Sequence, residues 1–204
     1  MPARPYALAF SLFTVVASGC ATHSGAMSET DEPLAAPADD EAKIVFMRPS
    51  SQGAGVRSHV FDTTSEDTVY LGTVPVGGQL TTTVDPGTHY FMVTSEAADF
   101  MRANVDGSET YYAIVRPRWG FSVRFSLVPV NTDPDARFYL GSDEFAAWRD
   151  EMQTVRLTPE AEEEAAARMD RTNDLRERYW ERWQEKPDAD KAKVTLQPTD
   201  AVSR

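Results

Sequence analysis

Few residues in this chain can do chemistry, and they stand far apart. Cys20 is the only cysteine among 204 residues, which excludes an intramolecular disulfide and a cysteine-based zinc cage. His59 and His89 are the only histidines beyond the first quarter of the chain, and no third ligand stands at metal-binding spacing from either. No Gly-x-Ser-x-Gly elbow marks an activated serine. The acids fall mostly in a polar stretch before Lys43 and in the C-terminal third, where they read as solvated surface rather than a poised acid/base pair. No catalytic residue, metal or cofactor is therefore expected. One loop stands out, Arg116-Pro117-Arg118-Trp119-Gly120. Two guanidiniums beside an indole are the groups that grip a carboxylate or a glycan. The same residues have a plainer use, with Trp119 covering the end of a domain and the arginines offsetting nearby acids.

Charge narrows the partners. Lys and Arg number 20 against 32 Asp and Glu, a formal charge of −12. Nothing in that balance draws in a polyanion, so nucleic acid is not an expected partner. Hydrophobic residues at 41% and charged residues at 25% match an ordinary globular domain rather than a disordered or many-spanning chain.

The first residues read as a processing segment. Arg4 precedes an apolar run from Tyr6 to Ser18, too short for a membrane-spanning helix but of the length of a signal-peptide core. Ala17, Ser18 and Gly19 directly before Cys20 resemble a bacterial lipobox. That resemblance implies removal of residues 1–19 and acylation of Cys20, and stable anchoring takes more than one acyl chain. By likeness to Gram-negative lipoproteins, Ala21 in place of Asp after the cysteine implies the outer membrane, with the body facing the periplasm. Residues 20–42 then read as the lipidated cysteine and a flexible tether, rich in Ala, Ser, Pro and acids and without apolar periodicity.

The character changes at Lys43. Short β-prone runs follow one another between turn residues: Ile44–Met47, Ser58–Phe61, Val69–Leu71, Gln79–Val84, His89–Val93, Met101–Val105, Tyr111–Val115 and Ser122–Val128. Asp85-Pro86-Gly87 and Asp106-Gly107 have turn chemistry, the latter suited to a hairpin. Val123, Phe125 and Leu127 alternate with polar neighbours, whereas Tyr111–Val115 is apolar on both faces and belongs centrally. Strands at this spacing without intervening helices predict a mainly β fold, an antiparallel β-sandwich over 43–130.

A family resemblance rests on several segments in order: Ile44-Val-Phe-Met-Arg-Pro49, Tyr70-Leu-Gly-Thr-Val74, Gly77-Gly-Gln-Leu80, Val84-Asp-Pro-Gly-Thr-His-Tyr-Phe91 and Gly107-Ser-Glu-Thr-Tyr-Tyr-Ala-Ile-Val115. They resemble the bacterial domain-of-unknown-function family 2846 and the broader PEGA-like and carboxypeptidase-regulatory-like sandwiches, in which a turn such as Leu71-Gly72 precedes a Pro-Gly-x-His hairpin. The resemblance implies a sandwich and an envelope lipoprotein setting, and carries over no catalytic residue.

Residues 131–186 read as a helical extension. Ser142 can cap a short helix with Asp143 and Glu144 in its first turn and Phe145, Trp148 and Met152 along one face. Thr158-Pro159 opens a longer helix running to about Glu185, with a seam of Ala161, Ala165, Met169, Thr172, Leu175, Tyr179 and Trp183. Its aromatic end, Tyr179, Trp180 and Trp183, suits either packing on the sandwich or docking to an envelope protein. Residues 187–204 read as a disordered tail. The function these features point to is a non-catalytic interaction or assembly module on the outer membrane. The alternatives are a glycan or small-ligand binder using Arg116, Arg118 and Trp119, and, further off, a hydrolase with two acids facing each other across a pocket.

Overall fold

The computed structural model describes residues 27–120 and 122–202. The expected leader, and Cys20 with the lipobox-like run before it, lie outside the described residues. In chain order the elements are β1 (Met27–Thr30), β2 (Ala42–Met47), β3 (His59–Asp62), β4 (Val69–Thr73), β5 (Gly78–Val84), β6 (Gly87–Thr94), β7 (Ala98–Val105), β8 (Thr110–Arg118) and β9 (Arg124–Pro129). They continue with α1 (Asp143–Glu151), β10 (Gln153–Leu157), α2 (Pro159–Ala166), α3 (Met169–Gln184), α4 (Asp188–Ala192) and β11 (Thr195–Leu196). All eight strands expected from the sequence form.

Two sheets face each other. The first runs β1-β10-β5-β2-β8-β9 and the second β11-β7-β6-β3-β4. β2 shows why. All six of its residues are buried, because Ile44 and Phe46 point between the sheets while Val45 and Met47 point outward beneath α1. β8 repeats the pattern, with Tyr111, Ala113 and Val115 inward and Tyr112 and Ile114 outward. On the far side, Phe61, Met92 and Phe100 of the second sheet are covered by Leu175 and Trp183 of α3. The result is four layers, helix on sheet on sheet on helix.

The sheets are mixed, which corrects the antiparallel expectation. β2 pairs β8 in parallel, β10 pairs β5 in parallel and β11 pairs β7 in parallel, while the remaining pairs are antiparallel. β2 and β8 are apolar on both faces, so each fits a central position in either direction. Neither of the two turns expected from the sequence closes a hairpin within one sheet, which corrects the hairpin expected at Asp106-Gly107. Asp85-Pro86-Gly87 links β5 in the first sheet to β6 in the second, and Asp106-Gly107 links β7 back to β8.

Three boundaries change. Of the expected tether at 20–42, residues Met27–Thr30 form β1, an edge strand paired with β10 from Met27↔Leu157 to Thr30↔Thr154. Met27 is held in a socket above Gly72, whose φ of +144° and lack of Cβ leave the room that the methionine fills. The expected helical extension at 131–186 contributes β10, which lies between β1 and β5 and sends Val155 into the core. The expected tail at 187–204 forms α4, β11 and a 3-10 turn at Pro198–Asp200, and Leu196 is fully buried. Asp200 fastens it, accepting from the backbone N–H groups of Thr132 at 3.2 Å and Gln197 at 2.8 Å.

The helix caps follow the sequence. Ser142 Oγ accepts from the Phe145 N–H at 3.1 Å, and Thr158 Oγ1 from the Ala161 N–H at 3.2 Å. The expected long helix is two, broken at Ala167-Arg168. Its seam has two destinations: Ala161 belongs to the core between the sheets, Leu175 and Trp183 to the layer outside the second sheet. One straight helix would not serve both.

Candidate functional site

Strand periodicity builds the site. Arg116 and Arg118 continue the outward-facing series of Tyr112 and Ile114 on β8, past the region that α1 covers. There a cleft of about 650 Å³ opens, lined by Ile114, Arg116, Arg118 and Trp119 on one side. Pro49, Ser50 and Gln52 come from the loop after β2, and Arg137, Phe138, Glu144 and Trp148 from the segment around α1. All three residues singled out from the sequence therefore line one concavity. Trp119 is 70% exposed there, so it does not serve as a lid on the core. Its Nε1 donates to Gln52 Oε1 at 3.1 Å, which fixes the edge of the indole and leaves its faces open.

The loop carrying Gln52 is held by Arg48, a residue that sequence reading passed over. Arg48 is only 2% exposed. Its guanidinium donates to the carbonyls of Gly53 at 2.7 Å and Val56 at 3.1 Å and to Ser58 Oγ at 3.3 Å, and lies 4.6 Å from the centre of the Phe125 ring. Burial lowers its pKa from the ordinary arginine value. Carbonyl dipoles, not a carboxylate, hold the charge.

The cleft is cationic within an acidic molecule. Burial pushes the Arg116 pKa down, and the neighbouring Arg137 and Arg118 guanidiniums push it further the same way. Arg118 has a partner: Asp99, 3.2 Å away, which also binds Lys186 at 3.0 Å and accepts from Ser126 Oγ at 2.6 Å. Among the described residues no carboxylate forms an ion pair with Arg116 or Arg137. Glu144 is the one acid on the wall. Trp148 and Phe138 meet edge to face with centroids 5.9 Å apart, and Arg137 lies 5.7 Å from the Phe138 ring centre. Such a surface attracts an anion and offers it flat apolar faces. Arg137, Phe138, Glu144, Trp148 and Gln52 were not legible as a site, because separate segments deliver them; only the Arg-Trp run is contiguous.

The other candidates resolve differently. Of the two uses expected of Tyr179, Trp180 and Trp183, the structure displays packing on the sandwich. Trp183 is buried, and Trp180 lies edge to face with Tyr90 and Phe100 at 5.1 Å each. The rings cover the apolar outer face of β6 and β7, which would otherwise meet water. His89 meets the Asp85 carbonyl at 2.8 Å in the turn between the sheets. His59 sits under α2 with Thr73 Oγ1 at 2.8 Å. Burial first, then the Arg168 and Arg57 charges, push its pKa down to about 4, so it is neutral at pH 7.

No protein-family model matches this chain, and no curated protein does.

Proposed function

We propose that this chain is a non-catalytic binding module of the bacterial envelope, lipid-anchored at Cys20, whose working surface is the cleft around Arg116, Arg118 and Trp119. The observation that carries the reading is the pairing of an indole 70% exposed with an arginine cluster in one concavity. Arg118 is matched to Asp99, as the plainer use requires, but Trp119 is exposed and Arg116 forms no ion pair among the described residues. Glu144 alone lines the cleft among acids, short of the carboxylate pair on which glycoside hydrolysis runs. The envelope setting rests on the run Ala17-Ser18-Gly19-Cys20 and on the family resemblance of the strand segments. The ligand classes are anionic small molecules and glycans. The assembly role through the aromatic end of α3, first among the expectations, is the less favoured reading, because Trp183 is buried and Tyr179 and Trp180 pack with it on the outer face of the second sheet.

The test is a panel of anionic and neutral small ligands titrated into the full chain in neutral detergent, followed by tryptophan fluorescence. At least one anionic ligand is expected to bind saturably, and Arg116→Gln and Trp119→Ala are each expected to weaken it about tenfold or more, the scale of one charge-assisted or stacking contact. Binding of no panel member, or binding indifferent to both substitutions, defeats the proposal.

A further inference from the structure

Resting on that reading, we infer that the cleft takes a saccharide bearing a single carboxylate per recognised unit, with the carboxylate on Arg116 and Arg137 and a face of the sugar ring on Trp119.

Three observations converge. The first is charge. Arg118 already has Asp99 at 3.2 Å, so the uncommitted cations of the cleft are Arg116 and Arg137, with Glu144 opposing them. A single negative charge on the sugar unit seated at the two arginines brings that set to neutrality. A phosphate dianion would overshoot it and meet Glu144 besides. Arg116 and Arg137 line the same cleft, and after burial the Arg137 charge is the next cause that lowers the Arg116 pKa, so an anion seated between them would relieve that repulsion.

The second is the shape of the apolar surface. Trp119 is the one exposed aromatic among the large exposed hydrophobics of the described residues. Its Nε1–H is already engaged by Gln52, which keeps the ring from turning and removes its own donor. What remains for a ligand is a flat π face. The axial C–H bonds of a pyranose fit such a face, being weakly positive and planar in outline. A linear aliphatic acid would leave most of it uncovered.

The third is the polar wall. Ser50 supplies a hydroxyl and Glu144 a carboxylate at the same cleft, groups that accept from sugar hydroxyls. A simple aromatic carboxylate has nothing to give them. At about 650 Å³ the cleft lies within the usual range for small-molecule sites.

The experiment is calorimetry on the full chain in neutral detergent at pH 7, with trigalacturonate as the probe. Its methyl ester, inorganic phosphate and benzoate serve as comparisons. Trigalacturonate is expected to bind, with esterification and Arg116→Gln each lowering affinity at least tenfold and Arg116→Lys restoring part of it. Trp119→Ala is expected to weaken the acid and the ester by similar factors, since the ring face is common to both. Equal binding of acid and ester overturns the inference, because the charge would not be read. Phosphate or benzoate binding as tightly as trigalacturonate, and sensitive to Arg116→Gln, also overturns it while leaving the anion-binding module intact. If none of the four binds, the saccharide inference falls, and the broader ligand panel decides separately whether the cleft is a binding site at all.

Discussion

Arg48 and His59 answer one problem, a basic side chain inside a sandwich, in opposite ways. Arg48 cannot shed its proton at any ordinary pH, so the fold surrounds it with carbonyls and an aromatic face. His59 can, and it does: its pKa falls from 6.5 to about 4. Between those values the unfolded chain takes up a proton that the folded chain refuses, so stability is full above about pH 6.5 and declines as the pH drops toward 4. Below 4 both states are protonated and the loss stops growing. At pH 5 the deficit comes to about 2 kcal/mol. His59→Asn keeps a polar atom near Thr73 but has no proton to gain. Unfolding free energies from urea titrations at pH 7 and pH 5 are expected to differ by about that much less in the variant. Equal losses in both proteins would mean that His59 is not held neutral.

Legibility differed sharply between elements. The eight strands from Ile44 to Val128 announced themselves because each carries several apolar residues at strand spacing. β1, β10 and β11 did not, because each is short and anchors on very little: Met27, Val155 and Leu196. A polar four-residue strand such as Met-Ser-Glu-Thr owes its place to its neighbours, and periodicity is silent there. Pairing order was equally hidden, since strands buried on both faces carry no mark of direction. The helix caps were legible at Ser142 and Thr158, whereas the break at Ala167-Arg168 came from packing in two layers. A consequence follows for truncation. A chain ending at Gln153 would lose β10 from between β1 and β5 and strip α3 from the second sheet. Removing one buried tryptophan such as Trp183 costs about 3–5 kcal/mol, and a whole domain holds only about 5–15. The truncated chain is expected to show no cooperative urea transition and to be cut rapidly by protease. A transition matching the full chain would make the C-terminal third a dispensable addition.

At the scale of the whole molecule, the proposed acyl anchor at Cys20 would be what ties an acidic body to a membrane. With a formal charge of −12 the chain gains nothing from anionic headgroups. Cys20→Ser is therefore expected to move the protein from the membrane fraction to the soluble periplasmic fraction, read by fractionation and immunoblot; retention with the membrane would remove the lipobox from the account. The position of β1 then acquires a mechanical meaning. Only six residues separate Cys20 from Met27, a reach of at most about 25 Å. β1 is one edge of the first sheet, and β8, which carries the arginines, stands four places across it, roughly 19 Å at ordinary strand spacing. A protein moored at Cys20 would ride on a short line from its β1 gunwale, its arginine-bearing berth four planks inboard, and cargo would come alongside from open water rather than up through the lipid.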